Sequence, residues 1–270
     1  MKRISSLTAL FVLFVLFGSA SLVFAQTNGV GRAAELPFGV GESLTFEGKI
    51  NKFAVSLTIG DLTLEVVEAT KDGRLQLKAD ARSRGTMLKW LKYSFIQQID
   101  SVADFRDLRA FSTKKHDVQK QKVRDSLANF SYADRKVTWV ETNPAEPLQP
   151  PRTIASDLDG RAYDIVSSLY FIRTLPLSVG YSTTMDVSDS GLVYSIPVRV
   201  AARERQKTVF GDVWCYRVEP DVFGPGRFFE QEGKMEIWIT DDAHRIPVRA
   251  RVNAEVGKID IRIKSTKNLK

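Results

Sequence analysis

Period-two alternation of apolar and polar side chains runs through most of this 270-residue chain and constrains its fold more than any other feature. In "KIDIRIKS", Lys258 to Ser265, three isoleucines alternate with charged neighbours. In "RLQLKADARS", Arg74 to Ser83, Leu75, Leu77, Ala79 and Ala81 fall on one side, and Arg74, Gln76, Lys78 and Asp80 on the other. Successive side chains of an extended strand point to opposite faces, so these runs read as strands with one face buried. "SLTIGDLTLEVVEA" joins Arg74–Ser83 through Asp72-Gly73, and "SLANFSYADRKVTWVE" turns near Ala133-Asp134-Arg135. "YSIPVRVAARERQKTVFGDVWCYRVEP" divides around Gly211-Asp212, and "KMEIWIT" with "IPVRARVNAEV" adds another pair. Roughly ten to twelve strands joined by short polar turns predict a mainly β fold, a curved or partly closed antiparallel sheet of half-barrel or barrel type.

One segment changes period. "SDLDGRAYDIVSSLYFIRTLPL" carries Ile165, Leu169 and Ile172 at helical spacing, with Asp157 or Asp159 as N-cap and Pro176 as the stop, so the spacing predicts one helix over Gly160 to Arg173 packed on the sheet. "TMLKWLKYSFIQQIDSVADF" fits both periods and is read as strand from Tyr93. "ETNPAEPLQPPRT", Glu141 to Thr153, with four prolines, is a surface connection between two sets of strands in one domain.

The N-terminus has Lys2 and Arg3, an apolar run from Leu7 to Phe17, and small residues before Ala25, the pattern of a secretory signal peptide over residues 1–25. Residues 26–36 form a polar lead, and 37–270 a single β-rich domain. Export to the periplasm or medium follows, and no cysteine lies near the leader to carry a lipid. After cleavage no run is long enough to span a bilayer. The formal charge of +7 falls to +5 when Lys2 and Arg3 leave, and export argues against a nucleic-acid partner. Cys215 is the sole cysteine, so a disulfide framework is excluded.

Catalytic and metal signatures are sparse. His116, His244 and Cys215 are not at ligand spacing, so neither metal nor cofactor is expected. No Gly-x-Ser-x-Gly elbow or phosphate loop is present, and Cys215 reads as a small buried strand residue. Glu42 with Glu47, Asp241 with Asp242, and Glu230 with Glu232 are carboxylate pairs of the kind a glycan hydrolase uses, although a solvated surface explains them as well. "VFGPGRFFEQEG" sets Phe223, Phe228 and Phe229 around a Gly-Pro-Gly turn beside Arg227, a loop that either plugs the end of the core with its phenylalanines or caps an apolar cavity with the arginine on an anionic head group. "TDDAHR" links two strands, with aspartates suited to a turn, Asp242 and Arg245 placed to pair across it, and Pro247 opening the returning strand.

Three stretches, "LPFGVGESLTFEG", "DIVSSLYFIR" and "MEIWITDDAHRIPVR", together resemble the signature of the exported bacterial family catalogued as domain of unknown function 3108. The matching positions are Pro37, Phe38, Gly41 and Glu42; Asp164, Ser167 or Ser168, Leu169, Tyr170 and Arg173; and Trp238, Asp242, Arg245, Pro247 and Val248. The resemblance implies an envelope protein without an established activity. Its β-rich outline is similar to the lipoprotein carriers of the Lol pathway, a fold-level analogy that does not carry function.

The expectation is a non-enzymatic periplasmic protein that binds an amphipathic ligand such as an acyl chain through Phe223, Arg227, Phe228, Phe229, Tyr170 and Arg173. A module that binds an envelope protein partner is the alternative, and a glycan hydrolase using Glu42, Asp241 or Asp242 a second one.

Overall fold

The computed structural model describes residues 36–52, 55–84, 94–254 and 257–270. The expected signal peptide over residues 1–25, most of the lead and the stretch before Ser94, including Tyr93, lie outside these residues. The N-terminal strands are β1 (Ser43–Lys52), β2 (Val55–Ala69), β3 (Arg74–Ser83), β4 (Phe95–Asp104), β5 (Ala110–Gln119), β6 (Lys122–Ser131), β7 (Lys136–Thr142) and β8 (Arg152–Asp157). After β9 (Ala162–Tyr163) and the helix α1 (Ile165–Thr174) come β10 (Ser182–Asp189), β11 (Leu192–Thr208), β12 (Gly211–Pro220), β13 (Gly233–Thr240), β14 (Pro247–Ala254) and β15 (Gly257–Lys267).

All fifteen strands among the described residues belong to one sheet, ordered β8-β7-β6-β5-β4-β3-β2-β1-β15-β14-β13-β12-β11-β10-β9. The expected mainly β, antiparallel architecture is present, with more strands than alternation alone distinguished. β5, β8 and β10 are polar on both faces for part of their length, and β9 is a two-residue parallel pairing with β10. Two wings meet at a central seam, where first and last strands pair from Ser43↔Lys267 to Asn51↔Lys258.

Chain length forces the sheet to curl. Fifteen strands laid flat would separate β8 from β9 by about 65 Å at the usual interstrand spacing. Only residues 158–161 connect Asp157 to Ala162, and so short a link reaches about 18 Å. The wings meet without a hydrogen-bonded ladder, so the barrel is not closed. Gly191, in the β10–β11 turn, sits on the inner faces of β7 and β8: a Cβ there would lie 2.9 Å from Ile154 O, Ile154 Cβ and Trp139 Cβ. With φ at +81° as well, this turn requires glycine.

Cross-strand registers define inner and outer rows. Val66, Leu77, Ser101, Thr113, Ala128, Trp139 and Ile154 form one inner row across β2–β8. α1 packs against the inner surface through Val166, Tyr170 and Ile172, in one apolar cluster with Phe38, Leu44, Leu64, Leu75, Leu77, Ile237 and Ile259. A smaller cluster around Phe130, Val137, Trp139 and Leu158 lies in the N-terminal wing.

The helix starts later than its apolar spacing predicts. Asp164, not Asp157 or Asp159, is the N-cap: its side chain accepts from Ser167 N at 2.8 Å, and Ser167 Oγ accepts from Asp164 N at 3.0 Å. This reciprocal capping box outcompetes the two earlier aspartates, and Ala162 and Tyr163 are drawn into β9. The stop is as expected, with Leu175 extended ahead of Pro176.

Candidate functional site

The three separated signature stretches converge at the C-terminal end of α1. Arg173 is 2% exposed and Glu42 is fully buried. Their side chains form a two-pronged ion pair, Nη1 to Oε1 at 2.5 Å and Nη2 to Oε2 at 2.9 Å. Nε donates to Arg245 O at 2.9 Å, and Nη2 donates to His244 O at 2.9 Å and Pro37 O at 3.4 Å. The guanidinium carbon lies 4.8 Å from the Phe38 ring and 5.4 Å from the Tyr170 ring. These rings meet edge to face, with centroids 4.8 Å apart. A planar fork of donors suits such an array of carboxylate and carbonyl acceptors.

Local backbone chemistry aims those carbonyls. Asp242 Oδ1 accepts from Thr240 Oγ1, His244 N and Arg245 N at 2.8, 2.9 and 3.1 Å. Arg245 adopts φ of +48°. The expected Asp242–Arg245 pairing therefore forms through the Arg245 backbone; its guanidinium instead donates to Leu175 O at 3.3 Å. His244 contributes its backbone to this cluster. The carbonyl of Gly41, whose φ is +88°, accepts from Asn268 Nδ2 at 3.0 Å, joining the segment before β1 to the segment after β15. Pro247 opens β14, and Val248 and the partly buried Leu169 join the core. Trp238 stands apart, donating from Nε1 to Glu204 Oε1 at 2.5 Å under the Arg249 and Arg251 guanidinium groups.

The opposite end of α1 is polar. Buried Asp164 accepts from Ser101 Oγ, and from Thr113 Oγ1 at 2.7 Å. Burial raises its carboxyl pKa above the ordinary value, against the opposing effect of those bonds. Burial also raises that of Asp189, opposed by Lys115, whose Nζ is 3.6 Å away. Ser101, Thr113, Lys115 and Asp189 were not legible as a group; the signal available was polar residues at inward positions of alternating strands.

The six residues assigned to a ligand do not form one open site. Tyr170 and Arg173 are in the buried cluster, and the Tyr170 hydroxyl has no hydrogen-bond partner among the described residues. Burial pushes that hydroxyl's pKa well above the ordinary phenol value. Phe223 is 8% exposed and stacks on Phe229 with centroids 4.8 Å apart. Phe228 meets Phe229 and Tyr194 edge to face. Arg227 donates to Ser195 O at 3.0 Å and pairs with Asp221 at 3.1 Å. The aromatic loop thus covers the end of the core.

Of the carboxylates considered for hydrolysis, Glu42 faces Arg173, Asp241 faces Arg203 at 2.6 Å, and Asp242 caps its own turn. Cys215 is fully buried, which pushes its thiol pKa up to about 12. Among the described residues no group of three His, Cys, Asp or Glu is placed to hold a metal ion. No described helix is long and apolar enough to cross a membrane.

Open concavities lie among polar rows. A groove of about 750 Å³ crosses β2–β7. One row across it reads Glu65, Lys78, Asp100, Lys114, Leu127 and Val140; the next reads Thr63, Asp80, Gln98, His116, Asp125 and Thr142. Lys78 pairs with Asp100 at 3.3 Å, and His116 Nδ1 lies 2.6 Å from Asp125 Oδ1. A second concavity, about 680 Å³, is bordered by Arg199, Glu219, Asp221 and Lys234.

No curated protein matches the chain. The β-barrel-like protein of domain of unknown function DUF1849 from Brucella abortus superposes with a TM-score of 0.56 at 12% identity, over 86% of this chain and 98% of that one. This likeness supports the curled sheet. A Bacteroides fragilis protein described as exported with a YmcC-like fold gives a TM-score of 0.30 at 10% identity, covering 86% and 98%. A Parabacteroides distasonis protein described as a lipoprotein gives 0.32 at 9%, covering 86% and 97%. The model of the family described as protein of unknown function, DUF3108, matches residues 45–264, starting just after Glu42. By that match over most of its length, the chain belongs to the DUF3108 family.

Proposed function

We propose that this chain is a non-enzymatic protein of the cell envelope that acts by binding a protein partner along the groove across β2–β7. One contrast carries the reading. The signature residues at Arg173 are buried and mutually paired, as a structural fastening is, whereas the open groove presents paired charges flanked by Leu127, which is 40% exposed. Interfaces of this kind combine an apolar contact with charge complementarity around it. The leader read from the sequence supports export.

A photo-crosslinker at Leu127 should trap one protein adduct in intact envelopes, and Lys114→Glu should abolish it. Absence of any adduct at Leu127, or an adduct indifferent to Lys114→Glu, removes the groove as the binding site.

The aromatic loop supports a second reading, binding of an amphipathic ligand. Phe223, Phe228 and Phe229 close the core from a segment with positive φ at Gly224 and Gly226, joined to itself by one Phe223–Phe229 bridge. Lifting this loop would give an acyl chain access to the apolar cluster. Stoichiometric lipid in organic extracts of the purified protein would favour this reading over the first.

A further inference from the structure

The β11–β12 hairpin continues beyond its neighbours. β10 accompanies β11 only from Leu192 to Arg199, and β13 pairs with β12 only from Cys215 to Val218. The outer part, Arg205–Thr208 against Gly211–Trp214, is a two-stranded ribbon. Its tip carries Val209 at 58% exposure and Phe210 at 43%, and Trp214 is 44% exposed. Exposed apolar side chains clustered on a projecting element mark an interaction surface more strongly than scattered ones.

The flanking chemistry identifies the partner. Arg203, Arg205 and Lys207 alternate along one face of the ribbon and are exposed, and Trp214 shares that face opposite Arg205. The Arg203 and Arg205 guanidinium carbons lie 4.4 and 5.8 Å from the Trp214 ring. Arg203 pairs with Asp241 at 2.6 Å and Arg217 with Glu236 at 3.0 Å, so the tip's own exposed charges are Arg205 and Lys207, with Asp212 opposite Lys207. Glu204 lies on the opposite face of the ribbon from Arg205 and accepts from Trp238 Nε1. The pair Arg205–Trp214 lies three register steps behind Thr208–Gly211, about 10 Å at the usual rise per residue. This graded order, aliphatic and phenyl groups first, indole next and cations around the indole, matches acyl boundary, interface and phosphate layer of a bilayer.

We propose that the β11–β12 tip docks on an anionic lipid surface, with Val209 and Phe210 inserted, Trp214 at head-group depth, and Arg205 and Lys207 on lipid phosphates. This surface is separate from the groove across β2–β7, and the two readings fail independently.

The test uses the whole chain, expressed with its own leader, and sedimentation with vesicles of phosphatidylcholine alone or with phosphatidylglycerol added. Binding should appear with the anionic vesicles and weaken at high salt. Val209→Ser with Phe210→Ser, and separately Arg205→Gln with Lys207→Gln, should each weaken it at least about tenfold, the latter as expected for two cations near an anionic surface. Anchoring through the N-terminus would leave these variants equal to the parent. Anionic vesicles should also blue-shift tryptophan emission, and Trp214→Phe should remove that shift. Equal binding by parent and variants, or no binding to anionic vesicles, overturns the proposal. So does a change in oligomeric state at the tip without a change in vesicle binding, which would assign the tip to a second copy. All substituted side chains are exposed, and unchanged thermal unfolding will verify that the variants fold.

Discussion

The two ends of α1 each bury a charged side chain, and they handle it differently. At the C-terminal end Arg173 meets a carboxylate and three main-chain carbonyls drawn from the segments at 37, 42 and 244–245. At the N-terminal end Asp164 meets, among the described residues, neutral donors: Ser101 on β4, Thr113 on β5 and amides of the helix's own first turn. One end fastens the helix beside the seam, the other to the middle of the N-terminal wing. A ten-residue helix thereby acts as a strut across the curl, rigid where charge meets charge and titratable where it does not.

The largest effect should come from breaking the pair. Arg173→Met or Glu42→Leu alone strands its partner in the interior, and denaturant unfolding should show a loss of about 3–5 kcal/mol. The double substitution should recover most of that loss. Asp164→Ala at the other end should cost about 1–2 kcal/mol, the usual range for a lost N-cap. If it costs as much as Arg173→Met, the two ends do not differ as argued. Thr113→Val removes one donor and should cost about 1 kcal/mol. Carboxyl-resolved NMR should also show the Asp164 pKa rising further, because this hydrogen bond works to lower it.

The smallest effect is a pH dependence, and its sign follows from the raised Asp164 pKa. The folded state binds a proton more tightly than the unfolded state, whose Asp titrates near the ordinary 3.8. The cost of burying the charge is complete above the folded pKa and is relieved as pH falls from there towards 3.8. Unfolding of wild type and Asp164→Asn across this window should therefore show the wild type gaining relative to the variant towards acid. On the outer surface Asp260 differs: burial raises its pKa, but bonds from Arg249 and Arg262 outweigh this and hold it below the ordinary range. Asp260→Asn should give the opposite slope, because stability tied to a lowered carboxyl pKa is lost on acidification.

The strands with a clean period of two, such as Arg74–Ser83 and Gly257–Lys267, were legible because each has one face in the core. β5 was not, because its inward positions include Thr113 and Lys115, which serve Asp164 and Asp189 on other elements. The resemblance singled out Glu42, Arg173 and Asp242, but not their meeting, since 131 residues separate the ion pair. Composition leaves the aromatic loop open between capping a cavity and plugging the end of the core; in the structure Phe223 is 8% exposed and stacks on Phe229.

The seam between β1 and β15 also bears on how the chain reaches its fold. Strands β9 to β15 and then β1 to β8 follow each other across the sheet without a break. Apart from the parallel β9–β10 pair, the sheet is thus a meander whose connection has been moved. Lys270 Nζ donates to Leu36 O at 3.3 Å, so the described ends are adjacent. A circular permutant joined there and opened at Gly160 would make every strand pairing local, lowering contact order and speeding folding. In the natural order, the central pairing waits for β15, leaving the edge of β1 uncovered until that strand has been synthesised.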